Sequence, residues 1–527
     1  MLIGFVILYL IFSIGVGLYA ATKVHNASDY ITAGRALPMI VVVAMVFATW
    51  FGAETVLGIP ATFLDENLGG TISDPFGASL ALILFGLFFA RPLYRMKLLT
   101  LGDFFRQRYN RPVEVVISAA IALILFGLFF ARPLYRMKLL TLGDFFRQRY
   151  NRPVEVVISA AIALSYLGWV SAQVVALGLV SNVLSDGLVT QPQGILIGAA
   201  VVLLYTLFGG MWSVALTTLV QMTVIVAGLL WIAKLVADMP EVNGIAPVIE
   251  HAAAAGKFEF WPPLEWAAVL TFVAGFLTMG LGSIPQQDVF QRANAGKTER
   301  IAVWGTIIGG SLYFLFAAVP IYLTYSATLV DPAMTTALLA ADAQLVLPTF
   351  VKTHLPLYAQ IIFYGALLSV IMSTASGTLL APSVTISENI IKELMPHHRL
   401  SQTKLLWTTR AVVVAFTLLV VVYSLWSLQS ETSIHQMVAN AYKVTLACAF
   451  VPLVAGLYWK RAGNTGAALS IVLGFVVWIA MEFIAPDAAL PPHFAGLIAS
   501  AVGMLAGSQK GLEGCLKSSV GFFYNRS

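Results

Sequence analysis

The stretch "FATWFGAETVLGIPA" (residues 47–61) interrupts an apolar run with Gly52, Gly58 and Pro60, and it places Glu54 between these helix breakers. Glycine lowers helix propensity and proline removes a backbone donor, so the pattern predicts a membrane helix that is broken within its span. A carboxylate inside a membrane helix is costly and is by default a functional residue. The stretch therefore predicts a discontinuous helix built around Glu54.

A second stretch has the same character. "FVAGFLTMGLGSIPQQDVFQR" (residues 272–292) carries Gly275, Gly280, Gly282 and Pro285 in an apolar run five spans further along the chain. Secondary transporters bind substrate and ions near the bilayer midplane, at discontinuous helices in corresponding positions of two inverted repeats. The two stretches therefore predict an inverted pair of five-helix units, spans 2–6 and spans 7–11.

The composition defines the class of protein. Of 527 residues, 59% are hydrophobic and 10% are charged, which is too little charge to cover a soluble protein of this length. Apolar runs long enough to cross a bilayer recur from end to end, which predicts an all-α polytopic membrane protein. Thirteen spans are expected near residues 2–22, 37–58, 76–91, 154–183, 193–208, 212–236, 266–285, 301–325, 356–381, 405–428, 433–459, 464–485 and 490–507. The first run has no charged leader, so we interpret it as a retained span.

The loops alternate in charge, which predicts the orientation. Basic residues cluster in every second loop: Lys23, Arg35; Arg91, Arg95, Lys97, Arg106, Arg108, Arg111; Arg292, Lys297, Arg300; Lys392, Arg399, Lys404; Lys460, Arg461; Lys510, Lys517, Arg526. The other loops are acidic or neutral and include Asp65, Glu66, Asp74 and Asp331. Basic loops stay in the cytoplasm, so we expect an outside N-terminus.

The chain is predicted to be one transporter domain (1–527) of the bacterial inner membrane, with core helices over 37–459 and a short cytoplasmic tail (508–527).

The chain contains a perfect internal repeat. Ala81–Leu123 is identical to Ala122–Leu164 at all 43 positions, with an offset of 41 residues (81–121 and 122–162). The extra copy adds one hydrophobic segment, about Val113–Ala131, between two copies of a basic loop. One added span would move a basic loop and everything after it across the membrane, against the charge pattern. We interpret the repeat as a tandem duplication or a sequence-assembly error, with the extra segment outside the ten-helix core. A non-functional product of the duplication is a further hypothesis.

Hydroxyl groups are concentrated in "SVIMSTASGTLLAPS" (369–383), which contains Ser369, Ser373, Thr374, Ser376 and Thr378. Na⁺ is a hard cation, and hydroxyls beside unwound carbonyls supply oxygen ligands without burying further charge. The pattern favours a sodium site. Glu54 and Lys443 are the ionisable residues deepest in the predicted spans, and a pairing between them is one possibility.

Three motifs resemble one transporter family. "LYTLFGGMWSVALTTLVQ" (204–221) is similar to the signature of the sodium:solute symporters, through Tyr205, Thr206, Gly209, Gly210, Met211 and Ser213. "SDYITAGRALP" (28–38) resembles the first cytoplasmic loop of that family, and "TLGDFFRQRY" (100–109) resembles the loop after its third span. The family transports proline, pantothenate, sialic acid, sugars and choline with sodium. The resemblance implies a LeuT-like 5+5 inverted-repeat fold and a symporter that imports a small polar organic solute by alternating access.

The resemblance also implies the ion site. Carried over by residue, the conserved sodium site of the family would use the carbonyls of Ala48, Phe51 and Val370 and the hydroxyls of Ser373 and Thr374. A second sodium site in some members needs an aspartate where this chain has Thr218, so one Na⁺ per cycle is expected.

The substrate position of the family falls at Trp50, and the local likeness is greatest to choline transporters. Their aromatic ring would hold a quaternary ammonium by cation–π attraction. Two of its positions are Trp50 and Trp169 here, but the others fall at Ala78 and Gln286, and Ser376 replaces an aspartate. Two substrates therefore remain open: choline, or a small polar or zwitterionic solute that uses Gln286 and Gln287. Glu54 is expected among the substrate-binding residues.

Other classes of function lack a sequence signal. The seven histidines include the tandem His397–His398, but none has metal-ligand spacing, and no nucleophile–His–acid pattern is present. Two cysteines, Cys448 and Cys515, give no disulfide framework. An intramembrane enzyme is disfavoured. A transport-like sensor would carry a signalling domain after residue 507, and only a short tail follows.

Overall fold

The computed structural model describes residues 2–77, 79, 141–391, 401–429, 433–459 and 461–524. Within these ranges the regular secondary structure is helical, apart from one two-residue bridge between Leu37 and Gly296. The helices are α1 Leu2–Ala21, α2 Ala27–Thr32, α3 Met39–Trp50, α4 Glu54–Asp65, α5 Leu142–Arg149, α6 Arg152–Leu184, α7 Gln191–Ala237, α8 Ile245–Ala254, α9 Trp266–Gly282, α10 Gln287–Asn294, α11 Glu299–Val330, α12 Pro332–Ala341, α13 Val346–His354, α14 Leu357–Ile391, α15 Gln402–Ser427, α16 Ile434–Tyr458, α17 Asn464–Ile484 and α18 Pro492–Tyr524.

Many of these helices are long and apolar enough to cross a bilayer. In the described ranges there are eight such helices, or up to ten if each of two bent helix pairs forms one span. Large apolar side chains on the outer surface, such as Leu8 and Phe483, are exposed, as expected for contact with lipid. The all-helical membrane class predicted from the sequence is confirmed. The predicted span 76–91 falls largely outside the described residues.

The two predicted helix breaks are present. Helices α3 and α4 form one bent pair with an angle of 53°, and α9 and α10 form the other with an angle of 43°. At the first break Phe51 leaves helical geometry and Gly52 donates to the Trp50 carbonyl at 2.8 Å. At the second, Pro285 lies in the connection and Thr445 on α16 donates to the free carbonyl of Gly282 at 2.7 Å. A backbone donor at the first break and a side-chain donor at the second thus satisfy carbonyl groups that a broken membrane helix would otherwise leave unpaired.

Two predicted spans, 193–208 and 212–236, lie in the single long element α7, which is divided at Gly210. That residue has φ 48° and ψ −137°, a conformation accessible almost only to glycine. The ring of Tyr30 on α2 packs against Gly210, and its hydroxyl donates to the Thr206 carbonyl at 3.0 Å. The loop helix α2 therefore fills the kink of α7.

The described part of the repeat belongs to the second copy. Its α5 and the start of α6 pack against α16: Arg149 Nε donates to the Gly456 carbonyl at 2.6 Å, and the Tyr150 hydroxyl donates to the Pro452 carbonyl at 2.7 Å. The second-copy loop is thus part of the packed structure. The first copy, 81–121, and the extra segment Val113–Ala131 lie outside the described residues.

The last helix is longer than the sequence predicts. The span expected to end at residue 507 begins at Pro492 as anticipated, but α18 continues to Tyr524. Most of the predicted tail, 508–527, is therefore a helical extension. Helices α17 and α18 pack closely through Gly474, Gly496 and Gly503, and Ser470 and Ser500 hydrogen bond at 2.8 Å. Small residues allow this approach of two membrane helices.

Candidate functional site

The break between α3 and α4 exposes backbone carbonyls to the middle of α14. Thr374 Oγ1 on α14 lies 2.9 Å from the Ala48 carbonyl oxygen and 3.4 Å from the Phe51 carbonyl oxygen. On α14 itself, Ser373 Oγ lies 2.9 Å from the Val370 carbonyl oxygen. All five residues are buried. The sequence-predicted set Ala48, Phe51, Val370, Ser373 and Thr374 is therefore drawn from two neighbouring helices, with Thr374 bridging to the break.

Glu54 lies just after the same break and is 1% exposed. Gln173 Nε2 on α6 donates to Glu54 Oε2 at 2.6 Å, and Trp169 Nε1 donates to Oε1 at 3.3 Å. The other amide atom of Gln173 accepts from the Ala53 backbone at 2.9 Å. One glutamine therefore holds both the carboxylate and the broken backbone, so the position of Glu54 is fixed by α6.

A second buried carboxylate lies close to Glu54. The sequence placed Asp74 in an acidic loop, and its backbone is indeed non-helical, but its side chain is buried, at 1% exposed. The Tyr313 hydroxyl on α11 donates to its carboxylate, and the same hydroxyl lies 3.4 Å from Thr55 Oγ1 on α4. Neither Glu54 nor Asp74 has a basic partner within ion-pair distance in the described ranges.

Aromatic rings surround these carboxylates. Trp50 and Tyr313 meet edge to face at 6.0 Å, Trp169 and Tyr442 lie 5.4 Å apart, and Tyr166 stacks on Trp169 at 5.8 Å. Sequence reasoning identified the two tryptophans but missed the three tyrosines, which come from α6, α11 and α16. Isolated tyrosines in apolar runs carry no periodic signal, so only their convergence identifies them.

A family model, "Sodium:solute symporter family", matches residues 30–128 and 114–474, which together cover most of the chain. The chain belongs to the sodium:solute symporter family. The two matched stretches overlap at residues 114–128, within the duplicated region. As a sodium:solute symporter the protein moves a small organic solute together with Na⁺, so Na⁺ is the co-transported ion.

Individual relatives agree with this membership. The high affinity choline transporter 1 of Homo sapiens is 26% identical over 507 residues, covering 91% of this chain and 76% of the relative. The osmoregulated proline transporter of Bacillus subtilis is 26% identical over 304 residues, covering 54% and 57%. Among solved structures, a substrate-bound, outward-open Na⁺-coupled sialic acid symporter aligns with a TM-score of 0.74 and 18% identity, over 96% of this chain and 97% of that one. The LeuT-like fold predicted for this symporter is confirmed.

The structure separates the two glutamines that the sequence placed in the substrate site. Gln286 Nε2 lies 3.3 Å from Ser165 Oγ and 3.4 Å from Thr445 Oγ1, and both partners are within a few residues of the aromatic group. Gln287 Oε1 instead accepts from the Leu142 backbone of α5 at 2.6 Å. Gln286 thus borders the candidate substrate site of the symporter, while Gln287 holds the α5 loop.

Two charged residues also differ from expectation. Lys443 lies 3.7 Å from Glu482 on α17, so the pairing with Glu54 that the sequence allowed is wrong. Arg292, counted among the basic loop residues, is 1% exposed within the symporter. Lys443 lies on a helix where a span was predicted, whereas Arg292, expected in a loop, lies on the short helix α10. In both cases the packing of distant helices determines what the side chain contacts.

Proposed function

We propose that this symporter imports a small organic cation of the choline type, together with one Na⁺. The observation that carries this proposal is the pair of buried carboxylates, Glu54 and Asp74, inside a group of aromatic rings. Buried charge is strongly disfavoured unless an opposite charge balances it. A cationic substrate would supply that charge during each transport cycle.

The aromatic rings suit the same substrate. The partial cage suggested by the sequence is enlarged to four rings, those of Trp50, Trp169, Tyr313 and Tyr442. Aromatic faces attract ammonium groups most strongly in desolvated sites. Of the two non-aromatic cage positions, Gln286 borders the aromatic group, and Ala78 lies outside the described residues. Trp50 Nε1, Tyr442 Oη and Gln286 Oε1 are buried and have no hydrogen-bond partner in the described part of the structure. These atoms could bind a hydroxyl group on the cation.

For the ion, we propose one Na⁺ at the oxygens of Ala48, Phe51, Val370, Ser373 and Thr374. The contacts of Thr374 support this assignment, because its hydroxyl already lies against the two carbonyls that the broken helix exposes. Thr218 offers no carboxylate for a second ion. Moving one charge across about 100 mV supplies roughly 2.3 kcal/mol to substrate accumulation.

We further propose that the protein lies in the bacterial inner membrane with its N-terminus outside and its C-terminus in the cytoplasm, and that it performs transport without catalysis. The alternating loop charges support this orientation.

Uptake of radiolabelled choline into proteoliposomes tests the proposal. An inward Na⁺ gradient should drive uptake, and replacing Na⁺ by K⁺ should abolish it. Ser373→Ala and Thr374→Ala should each raise the Na⁺ concentration needed for half-maximal uptake. Ser383→Ala is the matched control, because its hydroxyl bonds only within α14, to the Leu379 carbonyl at 2.9 Å. Uptake that ignores both Na⁺ and the two site substitutions would refute the symport mechanism.

A zwitterionic solute is the second candidate, favoured by the unpartnered Gln286 Oε1 and by the proline-transporting relatives. Competition separates the two. Labelled choline and labelled proline are tested separately. Na⁺-driven uptake of choline that excess proline does not block supports the cation, whereas Na⁺-driven uptake of proline without uptake of choline would favour the zwitterion.

A further inference from the structure

Helix α10, the second half of the broken pair α9–α10, is polar yet buried. Gln287, Asp288, Gln291, Arg292 and Asn294 are all at most 1% exposed. Arg292 is among the largest fully buried side chains of the described chain. A buried guanidinium needs an opposite charge and hydrogen-bond acceptors, so its neighbours indicate its role.

The only charged partner of Arg292 among the described residues is Asp288, one turn earlier on α10. Arg292 Nη1 and Asp288 Oδ2 are 3.8 Å apart, too far for a hydrogen bond, and neither atom has another partner. The other carboxylate oxygen of Asp288 accepts from the Tyr166 hydroxyl of α6, and the Asp288 backbone donates to that hydroxyl at 2.9 Å. Two hydrogen bonds to Tyr166 therefore fix Asp288 to α6. The positive charge of Arg292 is compensated only by the more distant carboxylate of Asp288.

The head of Arg292 lies directly against α14. A Cβ atom added to Gly377 would overlap Arg292 Nη2, so the missing side chain at Gly377 makes room for the guanidinium. Gly377 follows Thr374 by three residues on the same helix. Residues at this spacing lie on one face, roughly 5–6 Å apart. The guanidinium therefore lies about one helical turn from the hydroxyl proposed to bind Na⁺.

Two positive charges this close repel each other in a poorly solvated interior. When the ion site is occupied, the repulsion weakens Na⁺ binding; when Na⁺ has left, the guanidinium supplies a positive charge beside the vacated oxygens. We propose that Arg292 is a positioning residue that lowers Na⁺ affinity and stabilises the ion-free carrier, so that α10 stays packed on α14 while the empty transporter returns. This inference rests on the sodium site proposed above.

Binding of radioactive sodium to the purified transporter tests the inference without a substrate. Arg292→Gln removes the positive charge and should tighten Na⁺ binding by about tenfold, whereas Arg292→Lys retains the charge and should stay near the wild type. Gly377→Ala displaces the guanidinium and should tighten binding to a smaller extent. Asp288→Asn frees the guanidinium from its counter-charge and should weaken Na⁺ binding.

Transport supplies a second readout. Arg292→Gln should reduce net choline uptake by at least tenfold, because the empty carrier returns slowly. Exchange of choline, with equal Na⁺ and choline on both sides, avoids the empty carrier and should stay within about twofold of the wild type. A merely structural role would reduce both rates together.

The outcomes separate this inference from the proposed function. Failure of the wild type to bind radioactive sodium would overturn the sodium site and this inference with it. Normal binding by the wild type with unchanged or weaker binding by Arg292→Gln would overturn only the role of Arg292. If Arg292→Gln does not fold, Gly377→Ala decides, because it keeps the arginine and moves only the flexible end of its side chain; unchanged Na⁺ affinity in that variant contradicts the inference.

Discussion

Thr374 Oγ1 on α14 lies 2.9 Å from the carbonyl oxygen of Ala48 on α3, although 326 residues separate them in the sequence. The contact joins one helix from each half of the core. It lies at the point where the intrahelical backbone hydrogen bonds of α3 end. Because a carbonyl at a helix break has no intrahelical donor, it is free for a hydroxyl or a cation. Motion between the two halves would therefore change the ion site directly.

The first prediction concerns the sodium ligands. Thr374→Ala removes one oxygen and should raise the Na⁺ concentration for half-maximal uptake by about tenfold or more, since a hydrogen bond or ligand to a charged group is worth about 1.5–3 kcal/mol. Thr374→Ser restores the oxygen and should recover most of the affinity. Sodium titrations of choline uptake measure both. Equal behaviour of the alanine and serine variants would show that the hydroxyl is not a ligand.

The second prediction concerns the charge of Glu54. Glu54→Gln keeps the side-chain shape but removes the negative charge that a cation would neutralise. We expect the KM for choline to rise about tenfold, corresponding to a loss of about 1.4 kcal/mol. The control is Glu482→Gln, which changes a carboxylate on α17 that lies near Lys443 of α16. This variant should leave KM unchanged. An unchanged KM in Glu54→Gln would exclude a direct role in cation binding.

The third prediction concerns the hydrogen bond between Tyr313 and Asp74. Tyr313→Phe removes a hydrogen-bond donor from a buried carboxylate. The free energy of unfolding should fall by about 1–3 kcal/mol. The double variant Asp74→Asn, Tyr313→Phe should be less destabilised than the sum of the single variants, because the two groups interact. Thermal unfolding in detergent measures the coupling. Strict additivity would mean that the contact contributes no stability.

The fourth prediction concerns the kink of α7. Gly210→Ala places a side chain in a conformation with positive φ and against Tyr30, so it should destabilise the protein by at least about 1–2 kcal/mol. Gly365→Ala is the matched control, since it lies on helix α14 with open space around it and should be neutral or slightly stabilising. A Tm for Gly210→Ala equal to that of the control would show that the kink does not need glycine.

The fifth prediction concerns the repeat. Deleting residues 81–121 leaves one copy of the identical segment, and the second-copy residues from Leu142 onward keep their contacts with α10 and α16. One span fewer also restores the alternation of loop charges. The shortened protein should therefore be expressed at least as well as the full chain and should transport at least as fast. Loss of uptake after a deletion that leaves expression intact would mean that the extra copy is required.

Some features followed from local chemistry alone. The glycines and prolines around residues 52–60 and 275–285 predicted both helix breaks, because these residues weaken a helix wherever it packs. The hydroxyls of Ser373 and Thr374, with the family resemblance, indicated the ion site that we propose. The duplication was visible only as identical sequence. These features do not depend on which helices are neighbours.

Other features depended on helix packing. Asp74 was assigned to an outer loop and Arg292 to a basic loop, yet both are buried, because α11 and α14 close over them. The partners Gln173, Tyr313 and Tyr442 come from three separate helices and show no local pattern.

The sequence by itself determined the membrane class and the two broken helices, since hydropathy and backbone freedom belong to individual residues. Only the tertiary structure decided that Glu54 pairs with Gln173 rather than Lys443, that Asp74 joins it beside four aromatic rings, and that Arg292 rests on Gly377. The physical reason is that in a buried interior each charge must be solvated by whatever groups the helix packing brings to it.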